Sequence, residues 1–139
     1  MANELLELLR APAGTQDRAS ASRKTMPCVE TSWGDLLERI AILEIKAKRS
    51  ESAAATANVT HELEHLKSVM ATFEPLSGLV EAKWDVLRTT NEKLWDVEVA
   101  MRACEAEQRS EARFTQLARE AQSLNDERAR IKREIDSIR

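Results

Sequence analysis

Helix breakers are scarce in this chain: three Gly and three Pro among 139 residues. Pro removes a backbone donor and Gly adds backbone freedom, so a chain poor in both keeps long stretches for uninterrupted helix. The residues that fill those stretches are largely Ala, Leu, Glu, Lys and Arg, the strongest helix formers. No segment offers a strand candidate, and an all-α protein is the expected class. A chain of this length suits one domain with one modest core.

The few breakers place the elements. Pro12, Gly14 and Pro27 fall within residues 11–31, whose Ser/Ala/Thr mixture predicts a flexible linker. Ahead of it, residues 3–10 pattern as a short amphipathic helix, too short to stand alone in water. The folded domain is expected over 32–139. It starts at Ser32-Trp33-Gly34-Asp35, a variant capping box with Asp at the fourth position. From there helix 32–49 carries Trp33, Leu36, Leu37, Ile40, Leu43 and Ala47 on one stripe, with Ile42 and Ile45 on another side. A helix apolar on two faces is either central in its bundle or shared with a second subunit.

Residues 50–58 read as a loose connection. A second helix is expected over about 58–74, with Val59, Leu63, Leu66, Met70 and Phe73 inward, ended by Pro75 and Gly78. The third spans about 79–107 and the fourth about 111–138. About four helices with short connections imply an antiparallel bundle, or a hairpin completed by dimerisation through helix 32–49.

Several polar residues interrupt the apolar stripes. Asn91 and Glu98 lie in line with Val80, Trp84, Leu87, Leu94 and Met101 on the third helix. Arg128 lies in line with Leu117, Ala121, Leu124, Ile131 and Ile135 on the fourth, flanked by Asn125 and Lys132. Glu44 sits beside Ile40, Leu43 and Ala47. Burying an unpaired charge costs several kcal/mol, so Glu44 and Glu98 are expected to face Arg128 and Lys132. Two outcomes follow: an ion network that fixes helix register, or a polar pocket for a small anionic ligand.

The blocks SWGDLLERIAILEIKA (32–47), LWDVE (94–98), RACE (102–105), RFTQLAR (113–119) and NDERARIKREI (125–135) resemble an uncharacterised bacterial family of small helical domains. The resemblance covers about residues 31–135. It implies an association with sugar-transfer and surface-polysaccharide proteins rather than a reaction. It also implies polar roles at Glu44, Lys46, Asn125, Asp126, Arg128 and Lys132. Val99-Ala100 stand where that family tends to have an acidic pair, and Gln122 where it tends to have Tyr.

One stretch suggests catalysis. His61-Glu62-Leu63-Glu64-His65 matches the zinc-protease signature H-E-x-x-H, and Glu92 to Asp96 has the E-x-x-x-D form. That would make His61, His65 and Glu92 the ligands and Glu62 the general base. At roughly 100° per residue, however, both His residues turn away from the stripe of Val59, Leu63 and Leu66. Glu92 and Asp96 turn away from theirs. A catalytic zinc needs a sheltered cavity, so the zinc reading is rejected and no metal or cofactor is expected.

No phosphate-binding Gly-rich loop or nucleophile elbow occurs. The net charge of −3, from 24 acids against 21 bases, disfavours a nucleic-acid partner. Cys28 and Cys104 form no C-x-x-C pair, which fits a reducing cytoplasm. No run approaches the roughly 20 apolar residues of a membrane span. The expectation is a cytoplasmic, non-catalytic interaction or accessory module acting through a protein partner or as a homodimer. A small helical enzyme or binder of an anionic metabolite is the alternative.

Overall fold

The computed structural model describes residues 27–108 and 110–138. The short helix expected at 3–10 and most of the linker lie outside the described residues. Four helices follow: α1 (Trp33–Arg49), α2 (Ala53–Ala71), α3 (Gly78–Ala106) and α4 (Glu111–Ile138). No strand occurs among the described residues, and the helices pack on one another as an all-α bundle.

The start of α1 follows from its cap. The Ser32 hydroxyl oxygen accepts from the Asp35 N–H at 3.1 Å, satisfying one donor that the first turn leaves without an intrahelical partner. The start of α2 departs from the sequence expectation by about five residues. Ser52 accepts from the Ala55 N–H, and Ala53, Ala54 and Ala55 extend the helix through what reads as a loose connection. Ala has the highest helix propensity, so a capped Ala run forms helix without any apolar stripe. The α3–α4 turn contains Gln108 with φ of 51°, the left-handed conformation common just beyond a helix C-terminus.

Specific contacts set the directions. Trp33 meets Phe73 edge-on at 5.2 Å and Arg39 pairs with Glu62, so α2 runs antiparallel to α1. Trp84 Nε1–H donates to the Leu37 carbonyl at 3.0 Å, and Lys48 lies 3.7 Å from Glu92, so α3 runs parallel to α1. The Gly34 N–H donates to Asp136 at 2.7 Å and Glu38 meets Arg128, so α4 is antiparallel to α1. Lys83 donates to Glu134 at 2.7 Å, locking α3 and α4 as an antiparallel hairpin.

The first helix is therefore the centre of the bundle. It packs against α2, α3 and α4, and Leu36, Leu37, Ile40, Ala41, Ile42, Leu43 and Ile45 are all buried. Its two apolar faces are covered within one chain, so no second subunit is required to bury helix 32–49. By contrast α2 lies at the side, with Leu63 its one buried residue and Val59, Leu66 and Met70 half-buried. Phe73, expected inward, lies beyond the last turn and is 54% exposed.

Gly34 answers a packing demand. A Cβ there would stand 2.8 Å from the Lys132 carbonyl oxygen and 3.1 Å from the Lys132 Cβ. The first turn of α1 thus lies directly on α4, and only a residue without a side chain permits that approach.

The core is divided along its length. One cluster joins Leu37, Ile40, Val80, Trp84, Leu87, Ile131 and Ile135, with Leu36, Leu43 and Leu63. A second joins Ile42, Leu94 and Ala121, with Val97, Met101 and Leu124 against it. Each fully buried aliphatic side chain contributes about 1.5–3 kcal/mol. Between Leu87 and Leu94 on α3 stands Asn91, and between Ile131 and Ala121 on α4 stand Arg128 and Asn125. A buried polar layer separates the two apolar clusters.

Candidate functional site

That layer holds Asn91, Asn125 and Arg128 of the polar residues singled out from the sequence, with Lys132 one turn beyond Arg128, but with different partners. Arg128 Nη1 lies 2.8 Å from Glu38 Oε1, with side chains 6% and 8% exposed. Lys132 Nζ lies 2.6 Å from Glu38 Oε2 and 2.6 Å from Asp35 Oδ1. Both carboxylate oxygens of Glu38 thus face a cation. Asp35 and Glu38 are one turn apart on α1, and Arg128 and Lys132 are one turn apart on α4. The antiparallel crossing brings the acidic pair onto the basic pair.

The Arg128 contact is a charge contact more than an aligned hydrogen bond, because Nη1 has no partner of hydrogen-bonding geometry. At this burial the close opposite charge governs the energy. Lys132 shows the balance plainly. Burial alone would lower its pKa, but its hydrogen bonds to Asp35 and Glu38 outweigh that and raise it. Asp35 is lowered, first by the hydrogen bond that Lys132 donates, against the opposing effect of burial. A Lys held more firmly protonated is a poor nucleophile or base.

The expected pairing of Glu44 and Glu98 with Arg128 and Lys132 is not formed. Glu44 instead accepts from Arg88 Nε and Nη2, each at 3.2 Å, on the other side of α1. The same Arg88 guanidinium lies 3.7 Å from the centroid of Trp84 and donates to Asp85 at 3.0 Å. Glu98 is buried in the second cluster's half of α3, two turns and about 10 Å beyond Asn91. The reason is the parallel packing of α1 on α3, which turns Glu44 toward residue 88.

The remaining expected positions also divide. Lys46 is half-buried on the α2 side; burial lowers its pKa, with the Glu62 carboxylate acting against that and Arg39 adding to it. Asp126 is exposed and accepts from Gln122 at 3.1 Å. Asn91 and Asn125 are each 1% exposed. Moving eight residues along α3 from Lys83 and eight back along α4 from Glu134 places Asn91 level with residue 126. The two amides therefore share one layer. Asn125 Nδ2 donates to the Ala121 carbonyl at 3.0 Å, while Asn125 Oδ1 and both polar atoms of Asn91 have no protein partner.

Sequence reasoning missed Asp35, Glu38 and Arg88. A signal existed for the first two: an i,i+3 acidic pair in a helix apolar on two faces, matched by an i,i+4 basic pair in the last helix. Arg88 carried none, because it lies just outside the α3 stripe.

The zinc-like motif lies where its spacing put it. His61 and His65 are exposed, and Glu62 pairs with Arg39. Glu92 and Asp96 pair with Lys48 and Arg49, holding the end of α1 to α3. Among the described residues no three His, Cys, Asp or Glu groups gather to hold a metal ion. A shallow groove over Lys93, Val97, Glu120 and Leu124, between α3 and α4, includes none of the expected site residues.

No family model matches this chain, and no curated protein or solved structure matches it. Among the described residues no helix is long and apolar enough to cross a membrane.

Proposed function

We propose that this chain is a non-catalytic helical interaction module, acting in the bacterial cytoplasm as an accessory to surface-polysaccharide biosynthesis. The observation that carries the non-catalytic part is the closure of Arg128 and Lys132 on Glu38 and Asp35. The strongest internal cations are neutralised by the protein itself, which is the arrangement of a register-fixing ion network and not of an anion-binding pocket. The pathway assignment rests on the resemblance of residues 31–135 to the uncharacterised family described above. A protein partner would dock outside α1, whose faces are covered within the chain.

One observation favours the second reading, a binder of a small anionic metabolite: Asn91 and Asn125 present buried polar atoms without protein partners. A thermal-shift screen with sugar phosphates and nucleotides separates the two. A ligand at a hundred times its Kd would add about 2.7 kcal/mol, a shift of several degrees in Tm. The accessory reading expects no such shift. Stabilisation that disappears in Arg128→Ala, measured against that variant's own Tm, would replace it with the binder. Copurification from the native host then identifies the protein partner.

A further inference from the structure

The second helix is held differently from the other three. It packs on α1, and no extensive packing joins it to α3 or α4. Leu63 is the one buried residue among its 19, whereas α1 buries nine of 17. Polar contacts divide the same way. The buried Trp84–Leu37 hydrogen bond ties α3 to α1, and the buried Glu38–Arg128 pair ties α4 to it. An ion pair of Arg39 with Glu62 joins α2 to α1, but its side chains are 47% and 40% exposed, and solvent leaves such a pair little net strength.

Both apolar clusters close without α2. Apart from Leu63, the buried members of the first come from α1, α3 and α4, and those of the second do so entirely. The topology also leaves α2 free to depart. Because α1 and α3 run parallel, residues 50–77 must return along the length of α1, about 25 Å for its 17 residues. Fully extended, that segment reaches about 90 Å, so it spans the bundle whether or not its helix is docked. Away from α1, a helix of 19 residues is only marginally stable in water.

We propose that α2 is a hinged strap, which opens from α1 as a unit while α1, α3 and α4 keep the core. Opening gives up the burial of Leu63, the partial burial of Val59, Leu66 and Met70, and an exposed ion pair. Removing α3 or α4 instead breaks both clusters, so α2 has the lowest free energy of opening in the bundle. The antiparallel register of Arg39 on Glu62 sets Leu66 near the level of Leu36, and Val59 near that of Leu43. The open form therefore uncovers the Leu36 and Leu43 side of α1, with Arg39 beside it. This inference goes beyond the interaction-module reading and does not rest on it.

Hydrogen exchange of the full chain, read by mass spectrometry over a urea series below the unfolding transition, tests the strap directly. Amides of α2 should be protected about a hundredfold less, or lower still, than the slowest amides of α1, α3 and α4. Their protection should also depend more weakly on urea, because the opening exposes little surface. Trypsin gives a second readout, since Lys67 is the one Lys or Arg within residues 53–71. Where reclosing outpaces cleavage, its cutting rate follows the population of the open form. Leu63→Ala should speed that cut about tenfold or more by removing the buried contact. Ile131→Val, in the core, should lower the urea midpoint of the whole chain yet leave the Lys67 cut unchanged. Far-ultraviolet circular dichroism checks that each variant remains folded.

Equal protection and equal urea dependence in all four helices would mean that α2 opens only with global unfolding, and overturns the proposal. Faster cutting at Lys67 in Ile131→Val, in step with its lost stability, overturns it likewise. So does loss of protection in the α3–α4 hairpin together with α2, which would make the opening unit larger than the strap. Amides of α2 that lack protection in the native chain would leave no docked state to open from, and also overturn it. None of these outcomes bears on the accessory reading, which is decided by the Arg128-dependent ligand screen.

Discussion

Glu38→Leu is expected to cost more stability than Arg128→Met, although both remove the same 2.8 Å contact. The asymmetry comes from what each substitution leaves behind. Without Glu38, the Arg128 guanidinium keeps a positive charge at 6% side-chain exposure, offset only through space by Asp35, which Lys132 already holds. Leaving such a charge uncompensated costs about 3–5 kcal/mol. Without Arg128, Glu38 keeps Lys132 at 2.6 Å on its other oxygen, so the loss is that of one charged contact, about 1.5–3 kcal/mol. Made together, the two changes remove both charges, and the double variant should fall short of the sum by about 2–3 kcal/mol. Against a total stability of about 5–15 kcal/mol, these are large fractions. Urea unfolding followed by circular dichroism resolves them: with a slope of about 2 kcal/mol per molar, Glu38→Leu lowers the midpoint by roughly 1.5–2.5 M. Equal single costs, or strict additivity, would refute the assignment of Glu38 as the shared anion of Arg128 and Lys132.

Two backbone positions should respond in opposite directions. Gly34→Ala places a methyl group 2.8 Å from a backbone oxygen and is expected to destabilise by about 1–3 kcal/mol despite the better helix propensity of Ala. Gln108→Gly relieves a left-handed residue at the α3–α4 turn and should stabilise by up to about 1 kcal/mol; urea midpoints decide both. Trp84→Phe deletes the indole donor to the Leu37 carbonyl and part of the surface under Arg88, so about 1–3 kcal/mol should be lost in the same assay. Asp35 has a folded-state pKa below its unfolded value, so its contribution is present above about pH 4 and is lost as pH falls through the folded value. Lys132 has a raised folded pKa, so its contribution is present below about pH 10.4 and is lost as pH rises through the folded value. The slope of stability against pH below 4 should therefore be shallower in Asp35→Asn than in the parent chain, and an unchanged slope would count against the Lys132 pairing.

Much of the architecture was legible from local rules. A chain with six breakers and strong helix formers has few options other than long helices, because each residue can satisfy its backbone within the segment. The cap at Ser32 and the break between Ala71 and Gly78 follow from chemistry that acts over three or four residues. The outward placement of His61 and His65 was also readable, since the 3.6-residue period assigns faces without reference to neighbours.

What the polar residues do with those faces was decided by tertiary packing. Periodicity correctly marked Asn91, Glu98, Asn125 and Arg128 as buried. It could not say that α1 lies parallel to α3 and antiparallel to α4, and those two directions determine which charges meet. They send Glu44 to Arg88 and bring Asp35 and Glu38 onto Arg128 and Lys132. The second apolar face of α1 belongs to the same distinction. Its existence is written in Ile42 and Ile45, but whether another subunit or the chain's own helices cover it depends on contacts between residues some fifty to a hundred positions apart. A helix carries its faces in its own sequence, while the partner of each face is settled only when separate helices compete to bury them.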